Sequence, residues 1–297
     1  MKNKSVLVFL FLCIPFYLFS GISLAAPVSV YLPGFSATFY DAEKSPSTAD
    51  DDDMCWAAAS SNVLAWTGWD GGFGNDADAI FNHFNAHWSN GGSTAEYGWK
   101  WWFTGIDSTP PELGAAHPDV PGGGDFYTLS QFNNSYHGWV RTYTGEGTSF
   151  DPDGSPAATY IMDYVDNGYG TVLGIFGEEG QHGITLWGYE FDDASNELLS
   201  VYVSDSDDNK DLLSPPDTWE KYAVALGSTI GSYPAFEDCW FLQDYLGDVN
   251  NDYNWIGTVQ ALDTPPDAIP EPTTLLLLGA GLLGLAAFRR VRIHREP

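Results

Sequence analysis

The regular alternation of apolar and polar positions is concentrated in the second half of the chain. Residues 182–191 (HGITLWGYEF) and 197–204 (ELLSVYVS) are rich in β-branched and aromatic side chains, and the turn-forming DDASN stands between them. The pattern predicts a hairpin folded about Asp193 and Ala194. In that register Ile184 faces Val203, Leu186 faces Val201 and His182 stands opposite Asp205, with all six on the buried face. Residues 171–176 predict a buried strand leading into the hairpin, and 157–167 a helix ended by Gly168. Upstream, residues 54–66 read as a helix, with small residues at 57–61, apolar Val63, Leu64 and Trp66, and Asp52 or Asp53 as N-cap. A shorter helix is expected over 78–88. The rest of 70–150 is dense in Gly, Trp, Tyr and Asn with little period; Trp99, Trp101, Trp102 and Phe103 are expected in a core or lining a cleft.

The two ends carry a different pattern. Lys2 and Lys4 precede an apolar run over 6–19 and then Ser23-Leu24-Ala25-Ala26, which reads as a secretory signal peptide over 1–25, cut after Ala25. At the far end Pro270-Glu271-Pro272 leads into an apolar stretch over 273–288 and then Arg289, Arg290, Arg292 and Arg295. This combination resembles the PEP-CTERM sorting tail. The resemblance implies an exosortase-type enzyme as partner, transient contact with the membrane, and removal of the tail. The stretch is shorter than the roughly 20 residues of an ordinary spanning helix. The chain thus divides into a signal peptide (1–25), one domain (26–262), a Pro-rich linker (263–269) and a sorting signal with a short transmembrane stretch (270–297).

Charge follows that division. Six of the eleven basic residues but only two of the forty acidic ones lie in the ends, which leaves five basic against thirty-eight acidic residues over 26–269, a balance of −33. Such a surface repels nucleic acid and anionic membranes and favours solubility outside the cell.

The chemistry concentrates in three short segments. Cys55 stands in the first turn of the predicted helix, where unpaired amides and the helix dipole favour a thiolate. His182 opens one predicted strand and Asp205 closes the next. A thiol, an imidazole and a carboxylate are the parts of a nucleophilic site in which the thiolate attacks, the imidazole moves the proton and the carboxylate fixes its tautomer. The acidic run over 50–53 pushes the thiol pKa up, and a protonated His182 is expected to outweigh these carboxylates, taken as solvated. The other readings of Cys55 are a buried small hydrophobe or one half of a disulfide with Cys239.

These segments resemble the IdeS/Mac family of immunoglobulin-degrading cysteine endopeptidases, which are papain-like in fold. That family carries an acidic pair, two apolar residues and the nucleophile, then Gly-Ala-Ala and Asn-Met-Leu-x-Trp. Here the corresponding residues are Asp51 to Asp53, Met54, Cys55, Trp56, Ala57, Ala58, and Asn62-Val63-Leu64-Ala65-Trp66. Leu186-Trp187-Gly188 after His182, and Tyr202-Val203-Ser204-Asp205-Ser206-Asp207-Asp208-Asn209, match its other two segments. The resemblance implies Cys55 as nucleophile, His182 as general base, Asp205 as the residue that orients it, and Asp207 in support. It also implies that Lys44 helps to hold the oxyanion, beside the Cys55 amide. Trp56 replaces the family's glycine, Asp53 stands where an apolar residue belongs, and 70–170 show no resemblance.

Two metal patterns are incomplete. His83 and His87 have the spacing of a helical zinc pair without the glutamate that follows the first histidine, and 248–254 resemble the start of a calcium loop without its later glycine and carboxylate. Both are expected to be structural, and neither a cofactor nor a metal is implied. The expected fold is α+β and papain-like, with an N-terminal catalytic helix packed against an antiparallel sheet carrying the histidine and aspartate. The expected function is a secreted cysteine endopeptidase acting on a protein or peptide substrate. Alternatives are a transglutaminase-like acyl transferase and a non-catalytic matrix or adhesion protein.

Overall fold

Strands rich in Val, Ile, Leu and aromatic residues dominate the later part of the chain, and their alternation decides how they assemble. The structure, a computed structural model, describes residues 26–35, 38–45, 51–110, 115–140, 156–177, 180–207, 217–227, 239–245 and 254–266. Along these run β1 (Pro27–Tyr31), α1 (Cys55–Thr67), α2 (Ala77–His87), α3 (Ala95–Thr104), α4 (Leu129–Ser135), β2 (Tyr136–Val140), α5 (Pro156–Asp166), β3 (Gly170–Gly177), β4 (Gly180–Asp192), β5 (Glu197–Ser204), β6 (Glu220–Gly227), β7 (Cys239–Leu242) and β8 (Trp255–Leu262).

The strands pair antiparallel in the order β4-β3-β8-β7-β6-β5, and β5 pairs back onto β4 to close a six-stranded barrel. Beyond that ring, β1 pairs with β4 from Gly188 onward, past the point where β3 stops, and β2 pairs with β8. Leu173, Ile175, Ile184, Leu186, Val201, Val203, Val224 and Val259 form one buried cluster with residues of α5. Closure buries these side chains and leaves the six strands of the ring without a free edge.

This architecture corrects the expected papain-like α+β fold. In place of a catalytic helix laid on a papain-like sheet there is a closed antiparallel barrel, with few helices beside it. The physical reason lies in β6, β7 and β8, which extend the antiparallel pairing beyond the β4–β5 hairpin and complete the ring.

The hairpin is present as β4 and β5, with its register displaced. Leu186 lies opposite Val203, not Val201, and Thr185 lies opposite Ser204, with irregularities after Leu186 and Glu190. The turn explains the displacement. Asp192 accepts from the Ala194 amide at 2.7 Å, and Asn196 takes a left-handed conformation (φ 57°), so the loop centres between Ala194 and Ser195. A shift of two residues keeps each side chain on its expected face. It does remove His182 from the position directly across from Asp205.

The helices α1 to α3 build a second core against the barrel wall. Trp56, Phe84, Trp88, Trp99, Trp101, Trp102 and Phe103 pack there with Val172 of β3 and Leu262 of β8. α1 runs beside β3 and β4, and its Asn62 donates to Thr185 at 3.0 Å while accepting from the Ala42 amide at 2.8 Å. One side chain therefore ties helix, barrel and the 38–45 segment together. Among the described residues, no helix is long and apolar enough to cross a membrane. The apolar stretch over 273–288 lies outside them.

Candidate active site

Cys55 is the first residue of α1, and its N-cap is Met54 with no side-chain cap, which corrects the expected Asp52 or Asp53. Other bonds hold the entry turn instead: the Met54 amide donates to the Asp51 carbonyl at 2.9 Å, and the Asn90 side-chain oxygen accepts from the Asp53 amide at 2.9 Å. As the first helical residue, Cys55 has a backbone N–H with no acceptor inside the helix, at the positive end of the dipole.

Strand β4 meets this helix start at a glycine. A Cβ on Gly183 would lie 3.1 Å from the Trp56 Cα and 3.3 Å from its nitrogen, so any larger residue would push strand and helix apart. The close approach brings the Gly183 amide to 3.4 Å from the Cys55 sulfur, to which it donates. It also sets His182, the preceding residue, in hydrogen-bonding contact with the thiol.

The second imidazole nitrogen is fixed from β5. His182 Nε2 lies 2.7 Å from Asp205 Oδ1, which leaves Nδ1 as the nitrogen on the side of the thiol. Asp205 is 3 % exposed and fully engaged: Oδ1 also accepts from the Asp207 amide at 3.0 Å, and Oδ2 accepts from the Tyr245 hydroxyl. Asp207 stands farther from the ring, with its Oδ2 3.6 Å from Nδ1. Lys44, 2 % exposed, places its ammonium 2.6 Å from Asp207 Oδ1 and donates to the Asp52 carbonyl at 2.6 Å. The structure thus brings Cys55, His182, Asp205, Asp207 and Lys44 to one end of the barrel, at the start of β4 and just past the end of β5.

Burial and charge oppose one another here. Burial alone would push the Cys55 thiol up, but the charge and hydrogen bond of His182, then Lys44 and the Gly183 amide, hold it below the ordinary thiol value. For His182 burial pulls down, and Asp205 and Cys55 raise the imidazole well above its usual value. Burial would likewise raise Asp205, yet His182, Tyr245 and the Asp207 amide keep it below the usual carboxylate range. These directions favour charge on all three groups: they ease loss of the thiol proton, retention of the imidazole proton and ionisation of the carboxylate. The acidic run before the cysteine is not uniformly solvated: Asp51 is buried, its Oδ2 accepts from the Ser45 amide at 2.8 Å, and burial raises its carboxyl.

His182, Asp205 and Asp207 each offer a metal-ligating atom within 4.8 Å of the others. Their atoms are already committed, Nε2 to Asp205 and Asp207 to the Lys44 ammonium. His83 Nε2 lies 2.5 Å from the Gly123 carbonyl and His87 Nδ1 2.8 Å from the His83 carbonyl, so each ring spends a nitrogen on backbone. The calcium-like pattern over 248–254 lies outside the described residues except for Asn254. Cys55 and Cys239 are both buried and not joined in a disulfide, Cys239 standing at the start of β7, so the disulfide reading does not hold.

Two contributors escaped sequence reasoning. Tyr245 follows β7 without any motif around it, and only the fold brings it to Asp205. Gly183 had a weak signal, a glycine beside the histidine inside a strand pattern.

Residues 268–291 match the PEP-CTERM protein-sorting motif. No curated protein matches the chain. The tail marks an exported protein sorted to the cell surface through an exosortase-type enzyme. The expected signal peptide over 1–25, and the sorting tail over 270–297, lie outside the described residues.

Proposed function

We propose that this exported protein is a cysteine endopeptidase that hydrolyses peptide bonds with Cys55, His182 and Asp205. The observation that carries the reading is the continuous chain of contacts from the Cys55 thiol through His182 to the buried Asp205. The Cys55 thiolate attacks a peptide carbonyl, and the Cys55 backbone N–H, unpaired within the helix, donates to the developing oxyanion. His182 gives its Nδ1 proton to the leaving amine, then takes a proton from water as that water attacks the thioester and frees the acid. Asp205 on Nε2 holds the imidazole in the required tautomer throughout. The ammonium of Lys44 already has two acceptors, Asp207 and the Asp52 carbonyl. Its contribution in this reading is to fix Asp207 and the turn before the nucleophile, together with its charge beside the thiolate.

The reading takes a protein or peptide as substrate, supported by the resemblance of the three segments to the IdeS/Mac endopeptidases. The test is incubation of the mature chain with a mixed peptide library, followed by mass spectrometry of new termini. Cleavage by the unaltered protein and none by Cys55→Ala supports the reading. Amine-linked products in the presence of an added primary amine would instead indicate acyl transfer.

A further inference from the structure

We propose that Tyr245 is a positioning residue of this site, its hydroxyl holding the Asp205 carboxylate in the orientation from which it fixes His182. The inference rests on the reading of Cys55, His182 and Asp205 as a reactive constellation, and it assigns a role to a side chain outside the three sequence segments.

The geometry is specific. Asp205 has two oxygens with distinct duties: Oδ1 takes His182 Nε2 and the Asp207 amide, and Oδ2 takes the Tyr245 hydroxyl. Without Tyr245 the Asp207 amide and His182 both pull on one oxygen, and the carboxylate is free to turn about its Cβ–Cγ bond. A buried carboxylate oxygen left without a donor also favours protonation, which would remove the charge facing the imidazolium. Tyr245 is itself 4 % exposed and packs against Tyr222 of β6 with ring centroids 5.1 Å apart. The Tyr222 hydroxyl donates to Glu220, so that carboxylate is engaged away from Asp205. The barrel wall thus supports the tyrosine, and the tyrosine supports the carboxylate.

The other ionisable groups around Asp205 and Tyr245 are His182 of β4, Cys55 of α1, Tyr222 of β6, Asp207 in the same turn and Lys44 from the 38–45 segment. The phenol is held well above its ordinary value, by burial first and then by the Asp205 charge, so it remains a donor across the working range. Its bond to an ionised carboxylate is the strong, charge-assisted kind.

The experiment follows the Asp205 carboxyl carbon by NMR against pH in the full-length folded protein, its resonance identified by its loss in Asp205→Asn. Tyr245→Phe is expected to raise the titration midpoint on the order of one pH unit and to slow alkylation of Cys55 several-fold. Site-specific 3-fluorotyrosine at 245, a better donor of nearly the same shape, is expected to lower the midpoint; this second variant carries the test if the phenylalanine protein does not fold. A midpoint that stays in place in either folded variant overturns the inference. The titration reads the Tyr245–Asp205 coupling whether or not Cys55 proves to be a nucleophile, so failure of this inference and failure of the proposed function give different results.

Discussion

The amide of Gly183 donates to the sulfur of Cys55 across 3.4 Å, which joins the first residue of α1 to the barrel strand that carries His182. The contact exists because residue 183 has no side chain. The strand's alternation sets Ile184 and Leu186 in the barrel core and turns Gly183 and Thr185 toward the helix. Helix and imidazole are therefore registered by one hydrogen bond from a backbone amide to the thiol and by one missing methyl group.

Gly183→Ala follows directly. The added methyl meets Trp56 backbone atoms, which cannot turn aside as a flexible side chain would. Overpacking of this kind costs about 1–3 kcal/mol. The variant should melt earlier and label at Cys55 more slowly than its lost stability accounts for. Urea denaturation and alkylation kinetics check the two effects separately.

Asp205→Asn should keep the fold and lose most activity, because an amide lets the imidazole settle in the wrong tautomer; the analogous change in a serine triad costs on the order of 10⁴ in rate. Asp207→Asn should cost less, since Asp207 lies 3.6 Å from the ring and pairs with Lys44. Turnover of one cleaved peptide by the two variants ranks them.

Lys44→Met removes a buried ammonium from its carboxylate. Breaking a buried pair on one side costs about 3–5 kcal/mol, and partial exposure of Asp207 brings the expectation nearer to 2. The double variant Lys44→Met, Asp207→Asn should recover part of the loss. Denaturation midpoints of the three variants form the cycle that measures the coupling.

Stability should depend on pH through this site. Asp205 titrates below the usual carboxylate value, so its contribution is present above about pH 4 and is lost as pH falls through the folded value. His182 titrates well above the usual imidazole value, so its contribution is complete below about pH 6.5 and is lost as pH rises through the folded value. The difference in stability between the unaltered protein and His182→Gln should therefore be largest between these limits. Urea midpoints measured across the range test it.

The grouping of Cys55, His182 and Asp205 was more legible in the sequence than the fold. Helix α1 begins one residue later than its pattern predicts, and β3 and α5 lie within a residue or two of expectation, because each is a local apolar period with a turn former at its end. The hairpin register slipped by two residues, because Asp192 and Asn196, not the middle of the loop, set the turn. Barrel closure was not legible. It depends on pairing β8 back onto β3, with Gly170 against Leu262 far along the chain, and no short window carries that information. Tyr245 was hidden for the same reason.

Processing tests the sorting tail separately. In a host without an exosortase the chain should stay membrane-associated through 273–288 and its arginines, whereas with the sorting machinery the mature C-terminus should fall near 270–272. Mass spectrometry of the released protein reads the end directly, and an intact Pro297 on that protein would contradict processing.

The most direct measurement of the central claim is the rate at which iodoacetamide labels Cys55 and Cys239 of the folded protein at neutral pH. Cys55, whose thiol pKa His182, Lys44 and the Gly183 amide pull below the ordinary value, should label far faster than Cys239, and His182→Ala should slow it. Equal rates for the two thiols, or a Cys55 rate indifferent to His182, would contradict the account.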